Sequence, residues 1–101
     1  MISLDERMRR DARRTILEAL HEDRTYTLNH AILRDLVDRL TAITLTESEL
    51  KAHLAWLEDR KAVTLRTVPP FTIARLTDFG LALARGVETL EGVSRPRPDR
   101  S

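Results

Sequence analysis

The apolar residues of this chain change their period once, and that change leaves few folds open. Up to Leu57 they recur every three or four positions, the spacing of helices with one buried side. Beyond it they recur every second position. Val63 and Leu65 alternate with Thr64 and Arg66, and Phe71-Thr72-Ile73-Ala74-Arg75-Leu76 reads as a return strand after Pro69-Pro70. A turn at the prolines pairs Leu65 with Ala74 and Val63 with Leu76, which puts four apolar residues on one face. Proline cannot adopt the positive φ of the tight hairpin turns, so the tip is expected to be a wider loop.

Helix punctuation divides the rest. Ser3 and Glu6 form an S-x-x-E capping box. The helix behind it carries Leu4, Met8, Ala12, Ile16, Ala19 and Leu20 along one side and should end between His21 and Asp23. Thr27 is the expected cap of a second helix, with Leu28, Ile32, Leu36, Val37 and Leu40 facing inward. A short extended piece, Ile43-Thr44-Leu45, follows. Thr46-Glu47-Ser48-Glu49 is a second capping box and opens a third helix whose inner stripe is Leu50, Leu54 and Leu57. Thr77 caps a last helix through Arg85, with Gly86 as its stop.

The order helix, helix, short strand, helix, hairpin, helix predicts a mainly α winged helix-turn-helix with a small β-hairpin. A chain of 101 residues allows one such domain, placed at residues 1–93, with residues 94–101 as a flexible basic tail that includes Arg95, Arg97 and Arg100. Cysteine is absent, which excludes disulfides, thiolate metal sites and cysteine catalysis and makes a reducing cytoplasm the natural compartment. No signal peptide or membrane-spanning run is read, so no membrane partner is expected.

Several segments resemble a known family. Leu54-Ala55-Trp56-Leu57-Glu58, Leu76-Thr77-Asp78-Phe79-Gly80, Gly92-Val93-Ser94-Arg95-Pro96 and Tyr26-Thr27-Leu28-Asn29 are similar to a small uncharacterised family of Mu-type transposable phages and prophages, loosely described as ArsR-like regulators. The resemblance spans nearly the whole chain and implies a phage origin and a winged helix, with no established activity attached. Two departures matter. Such sequences usually carry glycine after the third helix, where this one has Lys61. Metal-sensing ArsR proteins bind through cysteine thiolates, so metal sensing of that type does not carry over.

In a winged helix the third helix reads double-stranded DNA and the hairpin reaches the flanking backbone or minor groove. The outward side of the third helix presents Ser48, Ala52 and Ala55 beside Lys51: small residues that let a helix sink into a major groove, with Ser48 and Lys51 placed for phosphates or base edges. Against this, Glu47, Glu49, Glu58 and Asp59 outnumber the cations there. Arg66 and Arg75 point outward from the hairpin and are the best candidates for a narrow minor groove. Val68, Phe71 and Ile73 share that face and, with Trp56, form a candidate protein interface, for a homodimer or another phage protein. The bland reading of Trp56 is core packing over the hairpin base. Arg7, Arg10 and Arg14 share a face of the first helix able to follow a phosphate backbone, although Asp5, Glu6 and Asp11 are spaced to pair with neighbouring arginines.

No catalytic site is read. His21, His30 and His53 fall on different helices without a suitable serine or acid and are expected to be satisfied surface histidines; Glu49 and His53 alone do not make a metal site, and no cofactor loop is present. Two functions stay open: a phage DNA-binding protein, regulator or packaging accessory, and a winged-helix protein–protein interaction module.

Overall fold

The first helix, α1 (Leu4–Glu22), starts at the expected cap: the Ser3 hydroxyl accepts from the Glu6 N–H at 3.1 Å. The reciprocal half of the box is not made. The Glu6 carboxylate turns instead to Arg9 at 3.0 Å and Arg10 at 2.9 Å, charged donors that bind it more strongly than a backbone N–H does. The computed structural model describes residues 1–96, so Arg97 and Arg100 of the predicted tail lie outside the described residues.

Thr27 does not cap the second helix. It opens a short strand, β1 (Thr27–Asn29), and Asn29 caps α2 (His30–Thr41), accepting from the Ile32 N–H at 2.9 Å. This later start rotates the buried side. His30, Leu33 and Val37, spaced three and four apart, face the core, whereas Ile32 and Leu40 are exposed. Likewise Ala12, Ile16, Ala19 and Leu20 of α1 are buried as expected, but Leu4 and Met8 stand beyond the core and Leu17 lies within it. Ile43-Thr44-Leu45 forms no strand; the strand lies before α2 rather than after it.

The second capping box is complete. Thr46 accepts from Glu49 N–H, and the Glu49 carboxylate accepts from Thr46 N–H at 2.8 Å, opening α3 (Glu47–Asp59). Leu50, Leu54 and Leu57 are fully buried. At the end of α3 the chain turns through Lys61, whose φ of 66° is the left-handed conformation that favours glycine.

The hairpin pairs β2 (Val63–Val68) with β3 (Phe71–Leu76) in the expected register, Leu65 opposite Ala74 and Val63 opposite Leu76. Its tip is tighter than expected. Val68 pairs directly with Phe71 across a two-residue turn, and the Pro69–Pro70 peptide bond is cis. Proline in cis at the third position of a four-residue turn reverses the chain without positive φ. β1 adds antiparallel to the other side of β3, giving a three-stranded sheet in the order β1-β3-β2. Among the described residues the fold is thus a mostly helical α+β domain of four helices and one antiparallel sheet.

Thr77 caps α4 (Asp78–Ala84), accepting from Gly80 N–H at 3.0 Å while its hydroxyl donates to the Lys61 carbonyl at 2.6 Å. Gly80 sits so close to the α3–β2 turn that a Cβ would lie 2.0 Å from the Ala62 carbonyl oxygen. After Gly86 (φ 79°) residues 87–96 run without regular structure back along α1.

Two substitutions test this account by chemical denaturation. Lys61→Gly relieves the left-handed turn and should raise stability by about 0.5–1 kcal/mol. Gly80→Ala forces α4 off the turn and should cost at least about 2 kcal/mol.

Candidate nucleic-acid interface

On α3 the buried leucines leave an opposite face of Ser48, Ala52, Ala55 and Asp59, all exposed. Helical geometry places this face between two flanks. One flank meets the hairpin, where the Glu58 carboxylate accepts from the Leu65 N–H of β2 at 3.3 Å. The other meets α1, through His53, Trp56 and Arg60. Lys51 is half-buried on the hairpin flank with its ammonium 3.0 Å from Glu47. That contact holds the Glu47 carboxyl below the ordinary carboxylate range.

The outer face of the hairpin is ordered by register. From the tip inward it presents Val68 beside Phe71, Arg66 beside Ile73, and Thr64 beside Arg75. Both arginines are exposed. Neither guanidinium takes part in a hydrogen bond or ion pair among the described residues. Val68 and Phe71 are exposed and Ile73 is half-buried, so the predicted apolar group is only partly open.

The predicted basic face on α1 does not exist as a free surface. Arg7 is exposed, but Arg10 is held by Glu6 and by Glu91 at 3.0 Å, and Arg14 is buried. Arg14 donates to the Ser94 carbonyl at 2.7 Å and the Leu83 carbonyl at 3.0 Å, with Glu18 at 3.7 Å. Its neighbour Arg13, absent from every predicted set, is buried as well. Arg13 donates to Nδ1 of His53 at 3.2 Å and to the Gly92 carbonyl at 3.0 Å. The signal was present: Arg13 lies on the helical wheel between Leu17 and Leu20, inside the apolar stripe.

Trp56 is half-buried and packs against the core, as the core-packing reading expects. The guanidinium groups of Arg13 and Arg60 lie 3.9 and 3.8 Å from its ring centroid. Gly92 abuts it so closely that a Cβ would come within 2.6 Å. Its own chain thus takes most of the ring that a partner would use.

His30 and His53 are buried rather than surface residues. His30 Nδ1 accepts from the Thr72 N–H at 3.1 Å, where a longer β1 would have supplied a carbonyl. Its Nε2 lies 3.7 Å from Glu47. Burial, and then the charge of Arg13, push His53 down to about 4, so it is neutral and accepts from the guanidinium. Among the described residues no group of three or more His, Asp or Glu is placed to hold a metal ion, and no helix is long and apolar enough to cross a membrane.

No family model matches the chain. It is 31% identical over 88 residues to the uncharacterised protein gp26 of Escherichia phage Mu, a match covering 87% of this chain and 90% of that protein. The chain belongs to the gp26 family of phage Mu. The match supports the resemblance to a Mu-type phage family, and it brings no activity with it.

The depressed His53 value has a consequence for stability. The unfolded histidine titrates near 6.5 and the folded one near 4, so between these values the unfolded chain binds more protons. The stabilising contribution is complete above about pH 6.5 and is lost as pH falls through this window. Glu6, Asp23, Glu47 and Glu49, all held below their ordinary values, add their own losses only at lower pH. Thermal midpoints of the wild type should fall from pH 7 to about 5 more steeply than those of His53→Gln. Parallel curves would contradict the assignment.

Proposed function

We propose that this protein is a winged helix that binds double-stranded DNA in the life cycle of a Mu-type phage or prophage, as a regulator or a packaging accessory in the host cytoplasm. The order α1-β1-α2-α3-β2-β3, with the hairpin directly after the third helix, supports the fold reading. The observation that carries the function is the pair of exposed arginines, Arg66 and Arg75, on the hairpin beside the small-residue face of α3, their guanidinium groups without partners among the described residues.

The division of labour follows from the chemistry. Ser48, Ala52 and Ala55 keep α3 slim enough to enter a major groove, where alanine methyls meet thymine methyls and the serine hydroxyl donates or accepts. Lys51 joins them readily, because an exposed i,i+4 pair with Glu47 is worth less than about 1 kcal/mol and exchanges for phosphate at little cost. Arg66 and Arg75 supply phosphate or minor-groove contacts. With a formal net charge of only +1, affinity rests on where the cations stand rather than on overall charge.

A second reading is favoured by the acidic flank of α3 and the exposed Val68 and Phe71: an interaction module docking on another phage protein or on a second copy of itself. Light scattering separates the two, since this reading expects a dimer or a partner complex and no affinity for DNA.

For the DNA reading, a gel shift with phage DNA at low salt should show a retarded band. Arg66→Glu with Arg75→Glu should weaken it at least about tenfold and reduce the slope of log affinity against log salt by about 2. Equal binding by wild type and the double variant would refute the assigned contacts.

A further inference from the structure

The hairpin ends in four residues without an ionisable group, Val68-Pro69-Pro70-Phe71, and all four are exposed. Val68 is 45% and Phe71 39% accessible. The two-residue turn makes this tip narrow, because Val68 and Phe71 pair directly behind the prolines. The core reaches the tip at one place, where the buried His30 ring lies tilted against Phe71 with centroids 6.0 Å apart; along β2, Val63 is buried and Leu65 half-buried, but Thr67 beyond them is exposed. The hairpin therefore runs past the core and delivers an apolar end.

The charge arrangement behind that end decides what it suits. On the face shared by Val68 and Phe71, Arg66 stands about 7 Å down β2 and Arg75 about 14 Å down β3, two residues being one such step. Each strand offers one guanidinium without a partner among the described residues, so the two can reach the two sugar–phosphate walls flanking a groove. A protein partner would need carboxylates at those two places; duplex DNA carries phosphates along both walls. Burying the tip between base pairs desolvates no charge, whereas the arginines behind it stay at the phosphates.

Resting on the DNA reading above, we infer that the tip is a wedge: Val68, Phe71 and the prolines enter the minor groove, part a base step and bend the duplex. Apolar side chains inserted in this way kink DNA by about 20–90° toward the major groove, most easily at flexible pyrimidine–purine steps. On this view the protein shapes DNA as well as occupying it, and α3 and the wing grip a bent site.

Ligase-mediated ring closure of a mixed-sequence duplex of about 100 bp, shorter than the persistence length of roughly 150 bp, reads the bend without a known operator. Saturation is set by gel shift on the same duplex. Wild-type protein should accelerate ring closure and raise the fluorescence of 2-aminopurine placed at TA steps, which reports unstacking. Val68→Ser with Phe71→Ser removes the apolar tip together with the Phe71 contact to His30, and should keep the retarded band while losing the acceleration. A band without faster closure or brighter 2-aminopurine in the wild type overturns the wedge and leaves DNA binding standing. Closure by the double variant equal to wild type also overturns it. Should the double variant lose the band as well, the wild-type fluorescence decides: a rise supports the wedge and a flat signal overturns it. Absence of any wild-type band overturns the DNA reading and the wedge together.

Discussion

Two buried guanidinium groups tie this fold together. Arg13 and Arg14 project from α1 on neighbouring positions, and between them they donate to the carbonyls of Leu83, Gly92 and Ser94 and to the His53 ring. Burying a cation is costly unless its donors are satisfied. Arg14 has a distant carboxylate in Glu18; Arg13 is satisfied by neutral acceptors and by the face of Trp56. Removing any acceptor leaves a desolvated charge, so the last segment of the described chain is a structural part of the domain. Ser94 shows this best: its backbone N–H donates to the Arg10 carbonyl at 3.2 Å, and its hydroxyl binds Asp11. His53 belongs to the same arrangement. Only its neutral form accepts from Arg13, and the same burial that makes that contact strong keeps the ring neutral.

The sequence was most legible where one short-range rule dominates. The hairpin register follows from alternation, and the third helix from its capping box and leucine stripe, because one hydrophobic face and one cap suffice to define each. It was least legible where a long-range contact overrides a local preference. Thr27 has the chemistry of a cap, but β3 offers it a backbone partner in Arg75, and pairing with the sheet wins. That choice moves the cap to Asn29 and rotates α2, so that Leu33 replaces Ile32 and Leu40 in the core. The prolines misled for a related reason. They forbid the common tight turns and so suggested a wide loop, yet a cis Pro69–Pro70 bond closes the hairpin in two residues.

The arginines of α1 illustrate a limit of composition. Five within eight residues suggest a surface for phosphate. However, an arginine within an apolar stripe can bury its stem and spend its donors on carbonyls, and only the path of residues 87–96, devoid of periodicity, decides which happens. The short motifs that carry the phage resemblance have the same structural character. Thr77 and Gly80 lock α4 onto the turn after α3, and Gly92 makes room for Trp56.

That distribution narrows where function can reside. Residues fixed by packing cannot vary freely to suit a ligand, and here they include most of α1, the inner side of α3 and the returning C-terminal segment. Among the described residues, the surfaces with little internal task include the outer side of α3 and the distal half of the hairpin. These two surfaces are adjacent through the contact of Glu58 with Leu65, and both stand on rigid elements rather than loops. A long flexible wing would lose conformational entropy on ordering against a groove. The hairpin here is six residue pairs long and closed by two prolines, so any surface that docks on it meets an element already ordered by folding.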